Sequence, residues 1–183
     1  LNKVIWVLMT GFEVRRAGFE DLERVREMRL SLQRHLEASN PLVWRATREW
    51  EGRVEAELEG MLIDGHGRLL VALEGGRVVG FAYGRVHRRA EFLPRCVGEI
   101  SMVYVEEGFR RRGIGSLLVG ELCRFFRSES VEEVTLRYVM GNDEAELSWK
   151  SLGFKPVLQT ANASLRDLED RLRGRPLKGL EQP

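Results

Sequence analysis

The sequence predicts an α/β domain built on a central, mixed, twisted sheet flanked by helices, and three observations carry that prediction. Apolar residues recur at helical spacing in two stretches that follow a first strand-like segment. Two strand-like runs are then joined by Glu74-Gly75-Gly76-Arg77, a strong hairpin signal. Further on, an amphipathic helix separates two more strand-like runs, and a helical crossover between strands implies a parallel pair.

In chain order, residues 12–17 read as the first strand, and Leu22, Val25, Met28, Leu32 and Leu36 mark the helix after it. Residues 45–63 read as a second helix, with Trp50, Val54, Leu58, Met61 and Leu62 on its apolar side. Gly65 and Gly67 break that pattern, and residues 69–73 and 78–86 are the strands of a meander. A polar loop over 88–95 carries Phe92 and Leu93, and the β-rich run 97–105 ends at a glycine-arginine loop. Over 115–126, Leu118, Leu122 and Phe126 form one stripe, widened by Val119 and Phe125, as a helix packed on a sheet requires. Residues 134–139 read as a strand and 143–152 as a helix, with Gly153 just past its end. In the tail, over 159–183, Leu165, Leu168 and Leu172 mark a last helix, capped by Ser164 with Asp167 at its start and by Gly174 at its end.

At 183 residues the chain is long enough for one domain with a sizeable core, so a single domain over 1–183 is expected. Its 29 basic and 28 acidic residues leave a net charge of +1, and no global field argues for nucleic acid or a membrane surface. Only four lysines occur, so local positive charge is almost all guanidinium. Cys96 and Cys123 have no metal spacing and read as two small buried hydrophobes; His35, His66 and His87 lie far apart in sequence, and no metal is expected. Residues 4–9 are apolar but far short of the roughly 20 needed to span a bilayer. With the leading leucine and the later Met9, the first ten residues fit either an over-extended start or an extra edge strand. The expected location is the cytoplasm.

The chemistry concentrates in Val105-Glu-Glu-Gly-Phe-Arg110-Arg111-Arg112-Gly113-Ile114-Gly115-Ser116, which leaves a strand and opens a helix. Backbone amides at a helix start, freed by glycines and flanked by arginines, suit a pyrophosphate. Two rival readings fail on spacing: a P-loop requires Lys where Ile114 stands, and a dinucleotide fingerprint requires a third glycine at Leu118. Three arginines in a chain whose net charge is only +1 are poor evidence for a nucleic-acid site.

Together with Asn142-x-x-Ala145 and Trp149-x-x-x-Gly153-Phe154, this run closely resembles the acetyl-CoA loop of the GNAT N-acetyltransferase superfamily. The likeness is specific over 99–154 and rests on element order alone over 12–93. It implies acetyl-CoA as cosubstrate, with the backbone amides of Arg110, Arg111, Arg112, Gly113, Ile114, Gly115 and Ser116 holding the pyrophosphate. It also implies that Val103 and Val105 offer backbone groups to the pantetheine arm like an added strand, and that Asn142 and Trp149 sit beside it.

In that superfamily an amine attacks the thioester directly, and it must first be unprotonated. At pH 7 this costs about 4.6 kcal/mol for a lysine-like amine and about 1 kcal/mol for an α-amine. Glu99, six residues before Val105 on the same strand, stands where the histone-acetylating branch carries its base. Strand alternation gives it the same face as Ser101, Val103 and Val105 unless a β-bulge intervenes. The alternative is a strand-end glutamate exposed to solvent or paired with Arg95 or Arg137. The family's usual acid, a tyrosine, maps onto Trp149, whose indole can donate a hydrogen bond but cannot deliver a proton. Ser148, adjacent, and Tyr138, at the end of the preceding strand, are the substitutes.

Residues 39–50 and 88–95 would select the acceptor, and they offer Trp44, Trp50, Phe92, Leu93 and several arginines. Those arginines disfavour polyamines and favour an acidic or carboxylate-bearing acceptor. The helical tail is atypical for the family, where a final strand is common. It either covers the domain or joins a partner subunit as a homodimer. Acetyl transfer to a primary amine of a protein, peptide or small molecule is the first functional reading, and a non-catalytic acyl-CoA-binding regulatory module is the second.

Overall fold

The computed structural model describes residues 11–43 and 45–174, so the N-terminal apolar segment and Trp44 lie outside the described residues. The chain forms two compact units, Leu1–Asn142 and Asp143–Pro183.

In the first unit, β1 (Phe12–Arg16) leads through a short turn to α1 (Leu22–Ser39), α2 (Arg48–Glu51) and α3 (Val54–Ile63). The meander β2 (Gly67–Glu74), β3 (Arg77–Arg88) and β4 (Cys96–Val105) follows, then α4 (Ile114–Ser128) and β5 (Glu133–Leu136). The five strands lie in chain order across one sheet. Their first three pairings are antiparallel and β4–β5 is parallel, the mixed sheet that the α4 crossover predicts. At the predicted hairpin, Glu74 pairs with Arg77 and both glycines take positive φ, 57° and 83°, as a two-residue turn matched to strand twist demands.

Val25, Met28, Val54 and Leu58, each at most 2% exposed, pack with Phe81 and Val71 on one face of the sheet. On the other face α4 contributes Ile114, Leu118, Leu122 and Phe126. Close approach there depends on glycine: a Cβ at Gly84 or Gly98 would lie 2.8 or 2.9 Å from the Phe126 ring. Arg15 clamps the turn before α1 through two bonds to Asp21, at 2.6 and 2.9 Å, and the Gly18 N–H donates to the same carboxylate at 2.8 Å.

Three expectations are corrected. The single helix over 45–63 is two, because Gly52 interrupts it and the Thr47 hydroxyl, accepting from the Trp50 N–H at 3.2 Å, caps α2 separately. Strand β5 stops at Leu136, so Tyr138 lies past the strand it was expected to end. The cause is in β4, whose ladder to β5 runs only from Val97 to Ile100 before a bulge turns it away. Cys96 is buried as expected, whereas Cys123 is exposed, on the side of α4 away from its apolar stripe.

The second unit holds α5 (Asp143–Ser151) and α6 (Leu165–Arg173). Gly153, at φ 91°, ends α5 and lets the Phe154 N–H return to the Trp149 carbonyl at 3.1 Å. Ser164 caps α6 by accepting from the Asp167 N–H at 3.1 Å, as its sequence predicts.

Candidate active site

Past β4 the chain makes a short turn over Glu107–Phe109, passes three arginines, and enters α4 through Gly113 at φ 83°. The first bond of that helix runs from the Leu117 N–H to the Gly113 carbonyl at 3.0 Å. Helix geometry therefore directs the amides of Ile114, Gly115 and Ser116 outward from its positive end. A Cβ at Gly113 or Gly115 would meet nothing within 4 Å, so space opens above these amides.

The arginine side chains fold the loop. Arg110 donates from Nε to the Val105 carbonyl at 3.1 Å, and Arg112 ion-pairs with Glu74 at 2.5 Å while lying 4.7 Å over the Phe12 ring. The Arg110 amide donates to the Glu107 carbonyl at 3.2 Å, which withdraws it from the expected anion-binding set. Arg111, at φ 58°, takes the left-handed conformation just ahead of Arg112.

The strand that feeds this loop has an open edge. Because the Glu106 N–H donates to the Val79 carbonyl at 3.0 Å, alternation turns the backbone groups of Tyr104 and Met102 toward β3. Those of Val103 and Val105 then face the opposite edge, beyond the point where the β5 ladder ends. Asn142, 8% exposed, belongs to a turn docked on the end of α1, where Asn40 Nδ2 donates to the Met140 carbonyl at 2.9 Å. Trp149 and Ser148 lie on α5 in the second unit, Trp149 packed edge-on against Phe154 at 5.6 Å.

Glu99 does not share a face with Ser101, Val103 and Val105. Tyr83 pairs with Met102 and Gly84 with Ile100, which leaves Ser101 as the extra residue of a bulge. Alternation resets there, placing Glu99 with Met102 and Tyr104 on the face that carries α1 and α3. Nor are its neighbours apolar: His87 Nε2 lies 2.8 Å from one carboxylate oxygen and Arg137 3.7 Å from the other. Of the two pairings expected as the alternative, Glu99 makes the one with Arg137, and no ion pair joins it to Arg95 among the described residues.

Glu99 sits in a groove of about 580 Å³ whose polar lining includes His66, Arg85, His87, Arg88, Arg89 and Arg137. Arg85 is held by Asp64 at 3.2 Å, and the Tyr83 hydroxyl donates to the same carboxylate at 2.8 Å. Burial and that bond to Asp64 push the Tyr83 hydroxyl well above its ordinary value, so it stays protonated. Sequence reasoning missed His87, weighing it only as a metal ligand. The signal is the β3–β4 register: Arg85 pairs with Glu99 and His87 with Val97, which makes His87 a same-face diagonal neighbour of the glutamate. Among the described residues no cluster of His, Cys, Asp and Glu is arranged to hold a metal, and no helix is long and apolar enough to cross a membrane.

Comparison with known proteins agrees with this geometry. The sequence matches the Acetyltransferase (GNAT) family over residues 29–154. A mycothiol acetyltransferase from Saccharomonospora viridis is 34% identical over 106 residues, covering 56% of this chain and 34% of that protein. The chain thus spans about a third of the length of that curated relative. Among solved structures, a tetramutant of the BH1408 protein from Bacillus halodurans matches with a TM-score of 0.74 at 18% identity, over 83% of this chain and 99% of that one. An aminoglycoside N-acetyltransferase, AAC(6')-Iy, in complex with CoA matches with a TM-score of 0.64 at 19% identity, over 85% and 95% of the two chains. These structural likenesses speak for the fold. With a mixed five-stranded sheet, a glycine-arginine loop at the start of α4 and a family match across most of its length, the chain belongs to the acetyltransferase (GNAT) family.

Proposed function

We propose that this chain is a single N-acetyltransferase domain that moves the acetyl group of acetyl-CoA to a primary amine of a peptide or small molecule. The observation that carries the proposal is that both candidate halves of the site are set by one strand, β4. Its C-terminal end leads into the outward amides of Ile114, Gly115 and Ser116, and its N-terminal half presents Glu99 in an open groove. A pyrophosphate is held at the helix start by amides and dipole. The pantetheine arm adds along the outer edge of β4 at Val103 and Val105, in the manner of an extra strand, and shares the Val105 carbonyl with Arg110 Nε.

In the reaction Glu99 takes a proton from the acceptor ammonium, directly or through one water. The freed nitrogen attacks the thioester carbonyl; the C–N bond forms and the C–S bond breaks, the sulfur leaves as thiolate, and the nitrogen gives up its surplus proton to water as the neutral amide forms. A thiol pKa of about 8.5 makes thiolate a tolerable leaving group near neutrality. Tyr138 and Ser148 are the candidate proton donors to it, since Trp149 has no transferable proton.

The test is release of CoA thiol from acetyl-CoA across a panel of primary amines, with Glu99→Gln alongside. Acetylation by the wild type, lost in Glu99→Gln while acetyl-CoA affinity is kept, supports the enzyme. Acetyl-CoA binding without thiol release on any amine supports the rival reading, a regulatory acyl-CoA-binding module in which Trp149 only packs.

A further inference from the structure

The groove around Glu99 selects its acceptor by charge. We infer that it takes an amine which also carries an anionic group, a carboxylate or a phosphate, with Arg89 and Arg137 gripping the anion while Glu99 faces the nitrogen. The inference rests on the acetyl-transfer reading and adds the substrate class to it.

Four arginines and two histidines line the groove against one carboxylate, Glu99. Two of those arginines are already engaged outside it, Arg85 by Asp64 and Arg88 by Glu129, both at 3.2 Å. Arg137 is different: its side chain is 90% exposed and reaches Glu99 only at 3.7 Å. Arg89 lies 6.0 Å over the Phe92 ring and has no carboxylate within ion-pair distance among the described residues. Both guanidiniums are thus able to turn to an incoming anion without breaking a close ion pair. The loop of Arg89, 88–95, adds Arg95 and offsets it with Glu91 alone.

The same arrangement repels a polycation. An amine with several further ammonium groups would bring like charges against this lining, whereas a carboxylate or phosphate meets planar forks shaped for bidentate bonding. The position of Glu99 between His87 and Arg137 fixes where the reacting nitrogen goes, so the amine and the anion are recognised side by side in one groove.

The test measures binding by titration calorimetry to the CoA-saturated protein and, in parallel, acetylation by thiol release. Paired probes separate the sources of anion: phosphoethanolamine against ethanolamine, and the tripeptide Ala-Glu-Glu against Ala-Lys-Lys, both amidated at the C-terminus so that only the side chains differ in charge. A charge-assisted bond from a guanidinium corresponds to roughly tenfold to a hundredfold in affinity. At least one anionic probe is therefore expected to bind better than its partner by about tenfold or more. Arg89→Gln/Arg137→Gln should remove that preference and leave acetyl-CoA affinity unchanged, and raised salt should weaken it, because the groups are solvent-exposed. Equal or stronger binding of ethanolamine and Ala-Lys-Lys, or no binding of either anionic probe, overturns the inference. Failure of acetyl-CoA itself to bind would instead overturn the acetyl-transfer reading.

Discussion

His87 Nε2 lies 2.8 Å from Glu99 Oε2, one strand away on the same face of the sheet, with the His87 side chain 39% and the Glu99 side chain 23% exposed. The contact exists because the meander sets Arg85 opposite Glu99 and so brings His87 diagonally across from it. It fixes one carboxylate oxygen and leaves the other toward the groove and Arg137.

Removing the proposed base and removing its proposed positioner should therefore differ. Glu99→Gln is expected to lower kcat by about 10²- to 10⁴-fold, and more for a lysine-like acceptor than for an α-amine, whose deprotonation is cheaper. His87→Gln, which keeps a hydrogen-bonding side chain, should lower kcat by roughly tenfold with KM for acetyl-CoA unchanged. Steady-state kinetics of the two variants on both acceptor types check this; an unchanged kcat in His87→Gln would refute the positioning role.

The two loop glycines should separate stability from binding. Gly113 sits at φ 83°, so Gly113→Ala is expected to destabilise the fold by about 1–2 kcal/mol. Gly115→Val puts a side chain where nothing lies within 4 Å, and should leave the melting temperature nearly unchanged while lowering acetyl-CoA affinity by about tenfold or more. Thermal unfolding and calorimetric titration of the two variants provide the comparison.

On the opposite face, Gly98→Ala would place a methyl 2.9 Å from the Phe126 ring. Overpacking of that kind is expected to lose about 1–3 kcal/mol. The double variant Gly98→Ala/Phe126→Leu should lose less than the sum of its parts, because both changes act on one contact. Urea unfolding of the four proteins in the cycle measures the coupling.

Acid stability should depend on Asp21. Burial pushes its carboxyl up, but the bonds from Arg15 and the Gly18 N–H outweigh this and hold it below the usual carboxylate range. A folded-state pKa below the unfolded value of about 3.9 means that the stabilisation is fully present above that pH and fades as pH falls through the folded pKa. Asp21→Asn is thus expected to lose about 2 kcal/mol near neutrality, and its stability should converge with that of the wild type in strong acid. Urea midpoints between pH 7 and pH 2 test the convergence.

Much of this architecture was legible residue by residue. The hairpin glycines, the stripe of α4, the Ser164 cap and the Gly153 stop each have a local cause, and local causes survive into the fold. What escaped the sequence was long-range. The bulge at Ser101 is fixed by how β4 pairs with Tyr83 and Gly84, and it moves Glu99 to the other face. The Arg110 amide, expected to face a pyrophosphate, donates instead to the Glu107 carbonyl in a short turn. His66 and His87, far apart in sequence, line one groove because β2 and β3 are neighbours, with the Val86 N–H donating to the His66 carbonyl at 2.8 Å.

Thermal unfolding with acetyl-CoA, CoA or ATP tests the central claim most directly. A ligand at about 100 times its dissociation constant adds roughly 2.7 kcal/mol, which should raise the midpoint by several degrees in a domain of this size. The account predicts such a shift with acetyl-CoA and with CoA, little with ATP, and at most about half of it in Gly115→Val, whose affinity is lowered about tenfold or more. No shift with acetyl-CoA or CoA, or an equal shift in Gly115→Val, would contradict it.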